Sequence, residues 1–222
     1  MRYLDLLTAL FATVLLVSNV ASTKLVVLGP FTFDGGTLLF PLAYIFGDVL
    51  TEVYGYRKSR RVIWIGFFAL LLATLTFQAV AHLPAPPDAE SQRFGEAFGL
   101  LLGLTPRIVL GSLLAYFLGE FANAYVLAKL KVRTEGRFFW LRALASTLVG
   151  QGLDTGVFLL VAFYGVFPKE VLLAVFPSNY ASKLGVQALM LPFTYAVVGL
   201  LKRAEGMDAY DRDTDFNPFR LT

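Results

Sequence analysis

The sequence predicts an all-α membrane protein, with six transmembrane helices in a compact bundle and both termini on the cytoplasmic side. Three observations predict it. Hydrophobic residues make up 57% of the 222 and charged residues only 16%, and the mean hydropathy of +0.66 is far above that of a soluble domain. Six apolar runs of about bilayer length alternate with breaks rich in Gly, Pro or charge. Finally, Arg57, Lys58, Arg60, Arg61, Lys129, Lys131, Arg133 and Arg137 fall on one side of such a bundle with Arg2, Lys202 and Arg203, while Lys24, Arg93, Arg107 and Lys169 fall on the other. Eleven cations against four set the inside by the positive-inside rule.

The first span covers residues 4–21. Asn19 would stand three residues before any cut after Ala21, and Asp5 spoils a cationic leader, so the run reads as a retained helix and not a signal peptide. Residues 23–36, with Lys24, Pro30, Asp34 and the Gly35-Gly36 pair, read as a loop or re-entrant turn. The second span, 37–54, carries Asp48 and Glu52 four apart, hence on one helix face, and runs on into four cations. The third, 62–82, is closed by a Pro-rich loop in which residues 94–104 read as a short interfacial amphipathic piece. The fourth, 108–130, holds Glu120 and Asn123. The fifth, 138–167, holds Arg142 near its start and Gln151, Asp154 and Thr155 near its middle. The last part begins with a short piece, 171–176, breaks at Pro177-Ser178-Asn179 and resumes over 181–201, a pattern tolerated in lipid where it lines a cavity. Residues 1–203 therefore form the transmembrane domain, and the acidic stretch 204–222 reads as a loosely ordered cytoplasmic tail.

Composition excludes several chemistries. Cysteine is absent and His82 is the only histidine, so disulfides, thiol catalysis, iron–sulfur clusters and an ordinary transition-metal site are not expected, and no cofactor is implied. The net charge of +3 is divided among short loops, which fits orientation in the bilayer and no nucleic-acid partner. A lone histidine with no serine beside it in any motif argues against an intramembrane enzyme.

An ionised carboxylate in hydrocarbon costs several kcal/mol unless it faces a polar interior, so Asp48, Glu52, Glu120 and Asp154 point to a lined cavity. Glu120 with Asn123, and Gln151 with Asp154, are spaced three apart, so each pair shares a face at mid-membrane, where carriers place their sites. The competing reading is that these groups hydrogen-bond helix to helix and hold the bundle together. Asn179, Lys183 and Gln187 recur every four residues on one face; Lys183 either pairs with a buried acid, meets a ligand or snorkels. Asn19 is a further candidate ligand, with a helix-end cap as its alternative. Gly152 and Gly156 suggest close helix approach. Tyr54, Tyr56, Trp64 and Trp140 read mainly as an interfacial aromatic belt. Acids, amides and aromatics without metal ligands suit a planar, nitrogen-rich solute, since a carboxylate accepts two parallel bonds from a guanine-type edge.

Four stretches carry a resemblance: FPLAYIFGDVLTEVYGYRKSRRVIW (40–64), GEFANAYVLAKLK (119–131), RALASTLVGQGLDTGVF (142–158) and FPSNYASK (176–183). They resemble the queuosine precursor transporters, also called the vitamin uptake transporter family. The resemblance implies a six-helix inner-membrane importer of 7-deazapurines such as preQ0 or preQ1, destined for tRNA modification, and a fold similar to the substrate-binding subunits of energy-coupling-factor vitamin transporters. It implies that no ATPase module is obligatory, and leaves monomer and homodimer both open. By matching position, the substrate-binding residues it implies are Asp48, Glu52, Glu120, Asn123, Gln151 and Asp154, with Asn179 and Lys183 beside them. The alternative within transport is a subunit that docks on an ATPase-bearing partner; a small-residue stripe would favour it, and the first span offers only Thr8 and Ala12 at that spacing.

Overall fold

A computed structural model of the chain describes residues 1–28, 31–104, 106–166 and 168–220. In chain order these form α1 (Leu4–Ala21), β1 (Leu25–Leu28), β2 (Phe31–Asp34), a 3-10 turn (Gly35–Leu38), α2 (Phe40–Tyr54), α3 (Tyr56–Ala81), α4 (Ala89–Leu102), α5 (Pro106–Arg133), α6 (Phe139–Phe163) and α7 (Lys169–Glu205). Among the described residues, α1, α3, α5, α6 and α7 are long and apolar enough to cross a bilayer. With 15 residues, α2 is about 22 Å long and falls short of a hydrocarbon core of about 30 Å.

The start of α1 and the end of α7 lie at the same end of the bundle. The backbone N–H groups of Arg2 and Tyr3 donate to the Glu205 carboxylate at 2.8 and 2.7 Å, which fastens the start of α1 to the end of α7. The core lies between the helices, where Phe11, Val49, Val53, Leu127 and Ala143 are buried, while Leu72, Leu173, Leu189 and Phe193 stay exposed on outer faces, as lipid-facing residues do.

Several local expectations are corrected. The breaker 23–36 is an antiparallel hairpin, with Leu25 opposite Asp34 and Leu28 opposite Phe31; Pro30 lies outside the described residues. The basic cluster Arg57–Arg61 is not a loop but the first turns of α3, because Gly55, at φ 81°, reverses the chain in one residue. Across that reversal the Asp211 carboxylate accepts the Tyr56 N–H at 2.9 Å, an N-cap delivered from the far end of the chain. No break occurs at 177–179: α7 runs through Pro177 and Pro192 as one helix of 37 residues. Each proline removes one N–H from the ladder, and packing against neighbouring helices holds the rest of the rod together. The long apolar run of the fifth span is helical only to Phe163, and position 167 is not among the described residues.

The amphipathic piece is present as α4, longer than expected and without a buried residue. Asp88 caps it by accepting the Ser91 N–H at 2.8 Å, and a Phe77–Phe98 edge contact turns it back on α3. Of the aromatic belt, Trp140 is exposed, but Tyr54 and Tyr56 are buried in the core. The tail is also corrected. Arg60 donates to the carbonyls of Asp215 (2.9 Å) and Asn217 (2.6 Å), and the Trp64 indole N–H donates to Pro218 O at 2.8 Å. The strap therefore lies folded against α3.

Candidate functional site

The site begins with two glycines. A Cβ placed on Gly119 would lie 2.8 Å from Asp154 Cβ and 3.0 Å from the Gly150 oxygen, and one on Gly150 would lie 2.8 Å from Asn123 Cβ and 2.9 Å from the Gly119 oxygen. Antiparallel α5 and α6 thus touch backbone to backbone, which sets Glu120 and Asn123 beside Gln151 and Asp154. Gly152 and Gly156 do not make this approach. A Cβ on Gly152 would stand 3.6 Å from the Tyr180 ring of α7 and one on Gly156 3.6 Å from the Phe176 ring, ordinary contacts.

Onto this pair α2 brings Asp48, which is 1% exposed. Ala43, Gly47, Asp48, Glu120, Asn123, Thr147 and Gln151 enclose one small space. A Cβ on Gly47 would stand 3.5 Å from Glu120 Oε2 and 3.8 Å from Asn123 Nδ2, ordinary contact, so this glycine lines the space without being demanded by crowding. α7 supplies Gln187, whose Nε2 donates to Asp48 Oδ2 at 2.6 Å; Asn123 lines the same space as Asp48. Two buried acceptors, Asn123 Oδ1 and Gln187 Oε1, have no partner among the described residues. Glu120 has no hydrogen bond or ion pair there either. The volume open to a water centre is about 10 Å³, room for about one water. In this conformation the chamber is closed, not open to a flat ring.

Glu52 does not belong to this space. It is buried in an ion cluster: Arg142 grips it through Nη1 at 2.6 Å and Nη2 at 3.2 Å, and Lys202 bonds Oε1 at 2.7 Å. Lys131 lies 3.5 Å away, bonds the Glu52 carbonyl at 2.5 Å and pairs with Asp208, which Lys202 also reaches at 2.9 Å. With its carboxylate occupied by three cations, Glu52 ties α2 to α5, α6 and α7. The spacing of four from Asp48 places both acids on one side of α2, but a full helical turn separates a tied end from an unfilled middle.

Asp154 is also paired, by Lys183 at 2.5 Å, and Lys183 reaches Thr155 Oγ1 at 3.3 Å. This pair is only partly exposed and lies one turn along α6 from Gln151, so it adjoins the small space without lining it. Asn179 is exposed on α7. Asn19 is exposed as well, and its Nδ2 donates to the Leu15 carbonyl of its own helix at 3.2 Å. Neither is brought to the acids.

Two residues at the site were not among the candidates drawn from the sequence. Thr147 lies one turn before Gln151, and Gln187 one turn after Lys183; the four-residue recurrence on α7 carried the second signal, and Arg142 in an apolar run signalled that some buried acid must be neutralised.

The model of the family described as "Putative vitamin uptake transporter" matches residues 34–197, a stretch that contains Asp48, Glu120, Asn123, Gln151, Asp154 and Gln187. The chain is 35% identical over 197 residues to the "Probable queuosine precursor transporter" of Bacillus subtilis (strain 168), covering 88% of this chain and 83% of the relative. It is 28% identical over 131 residues to the "Queuosine precursor transporter" of Escherichia coli (strain K12), covering 58% and 54%. A similar protein of Haemophilus influenzae, named "Probable queuosine precursor transporter", is 26% identical over 129 residues, covering 58% and 51%. No solved structure matches.

Proposed function

The chain belongs to the vitamin uptake transporter family, a multi-pass bacterial membrane protein and not an enzyme, and from that premise we propose that it imports queuosine precursors, 7-deazapurines such as preQ0 or preQ1. One observation supports the reading most: Asp48, Glu120, Asn123 and Gln151, from three helices, enclose one buried space in a chain with that family assignment. Unpaired carboxylate and amide groups in a membrane bundle are costly as glue and useful as ligand contacts.

In this reading α2 is the sixth crossing, shortened because the β1–β2 hairpin and 3-10 turn precede it, and both termini are cytoplasmic. The meeting of Tyr3 with Glu205 and the eleven cations at that end support it. The form described here is closed. Substrate enters when α7 draws away from α2, parting Gln187 from Asp48, and an acid of the site carries a proton through the cycle. No ATPase module takes part.

The test is uptake of labelled 7-deazapurine by cells that lack their own transporters and express this chain. Accumulation above the empty vector, without an ATPase-module gene, is expected. No accumulation would overturn the reading, and accumulation that survives an uncoupler would remove the proton.

A further inference from the structure

Asp48 settles which way the neighbouring Gln187 amide points. An ionised carboxylate accepts and does not donate, so Gln187 turns its NH2 group to it. The Gln187 oxygen is therefore not the atom offered to Asp48, and both Gln187 Oε1 and Asn123 Oδ1 are buried without a partner among the described residues. Gln187 is 1% exposed. A closed site that leaves two acceptors unmet, next to a Glu120 carboxyl without a hydrogen bond or ion pair among the described residues, is short of donors rather than of acceptors.

We propose that Gln187 and Asn123 form a donor-reading pair, and that Gln187 Oε1 selects for a ligand whose ring edge carries N–H or amino hydrogens. This rests on the importer reading and sharpens it. It assigns specificity to a residue of α7, the helix that must move, so that recognising the ligand and closing over it are one event. The charges point the same way: Asp48, Glu120 and Asp154 gather around the site with Lys183 as the counter-ion of Asp154. A ligand edge made of carbonyls would meet acceptor against acceptor. An edge carrying amino and ring N–H hydrogens supplies donors of the kind these acceptors lack.

The experiment is equilibrium binding to the purified full chain in detergent, with 7-deazaguanine and 7-deazahypoxanthine as probes. They differ only in the 2-amino group. The wild-type chain is expected to bind the amino compound roughly tenfold or more tightly, as sites that hydrogen-bond a group reject its absence. Gln187→Leu, which keeps bulk and removes the amide, is expected to bring the ratio below about threefold. A merely structural role would weaken both probes alike and leave the ratio unchanged, which would overturn the proposal; so would a wild-type ratio near one. If Gln187→Leu does not fold, Gln187→Asn withdraws the same oxygen by one methylene, and the wild-type ratio already decides the ligand half. Failure of the wild-type chain to bind either compound would instead sink the importer reading itself.

Discussion

Gln187 on α7 holds Asp48 on α2 through a hydrogen bond of 2.6 Å between two side chains that are each 1% exposed. The bond joins residues 139 apart in the chain, and it is the polar link at the small space between the moving helix of our scheme and the helix that carries the central acid, Lys202 and Glu205 joining the same two helices at the other end. One turn away, Glu52 makes the opposite use of the same helix face. Its carboxylate is saturated by Arg142 and Lys202. The face of α2 thus divides into a half that is free to exchange partners and a half that is tied.

Asp48→Asn and Glu120→Gln should each abolish most uptake while the protein stays in the membrane at near-normal level. The substitutions keep volume and remove an acceptor charge, and losing one charged hydrogen bond to a ligand costs about 1.5–3 kcal/mol, roughly tenfold or more in apparent affinity. Concentration-dependent uptake, normalised to protein in the membrane, is the measurement. Normal uptake in both variants would dissociate the acids from transport.

Glu52→Gln should behave differently. It leaves Arg142 and Lys131, each 1% exposed, without their shared acid, and stranding a buried charge costs about 3–5 kcal/mol. We expect a lower melting temperature in detergent and less protein in the membrane. Adding Arg142→Met should restore part of the loss, because the double variant removes a charge with its partner. If Glu52→Gln melts normally but cannot transport, Glu52 is a ligand after all.

How far the sequence could be read follows from these same residues. Periodicity placed the apolar rods and put Glu120 with Asn123 and Gln151 with Asp154, since both are local properties of one helix. It could not say that Arg142 reaches Glu52, 90 residues away, or that Asp211 caps Tyr56 across 155, because those partners meet only after the rods are packed. The misreading of Pro177 has another cause. A proline weakens a helix locally, and only the packed neighbours decide whether it breaks. The acidic tail failed for the same reason: its composition is that of a loose end, yet the cations it binds lie on α3, α5 and α7.

Gly150→Ala should damage the fold where Gly152→Ala does not. The first substitution drives a methyl to 2.8 Å from Asn123 Cβ and 2.9 Å from the Gly119 carbonyl, both attached to backbone that cannot turn aside; such overpacking costs about 1–3 kcal/mol. The second meets only a tyrosine ring at 3.6 Å, so its melting point should hold. Equal melting curves would mean that the α5–α6 seam is not set by these glycines.

Acid should release the tail. Burial works against the charge of Asp208, but hydrogen bonds from Lys131 and Lys202 outweigh it and hold its carboxyl below the usual carboxylate range; Arg220 and the Asn217 amide do the same for exposed Asp215. A carboxyl whose folded pKa is depressed lends stability above its unfolded value, about 4, and that contribution disappears as pH falls through the folded value. At 41% exposure the Asp208 contribution is screened to about 1 kcal/mol or less. The fluorescence of Trp64, whose indole N–H is held by Pro218, should therefore be constant from neutral pH to about 5 and shift below about 4, in a Trp140→Phe background that leaves one reporter. Asp215→Asn should bring part of that shift to neutral pH, because it removes the partner of Arg220 while the membrane helices keep their own contacts. A Trp64 signal that is flat in acid and unchanged in Asp215→Asn would show that the strap is held by its apolar contacts, Phe216 on Tyr56 and Phe219 near Trp64, and not by its charges.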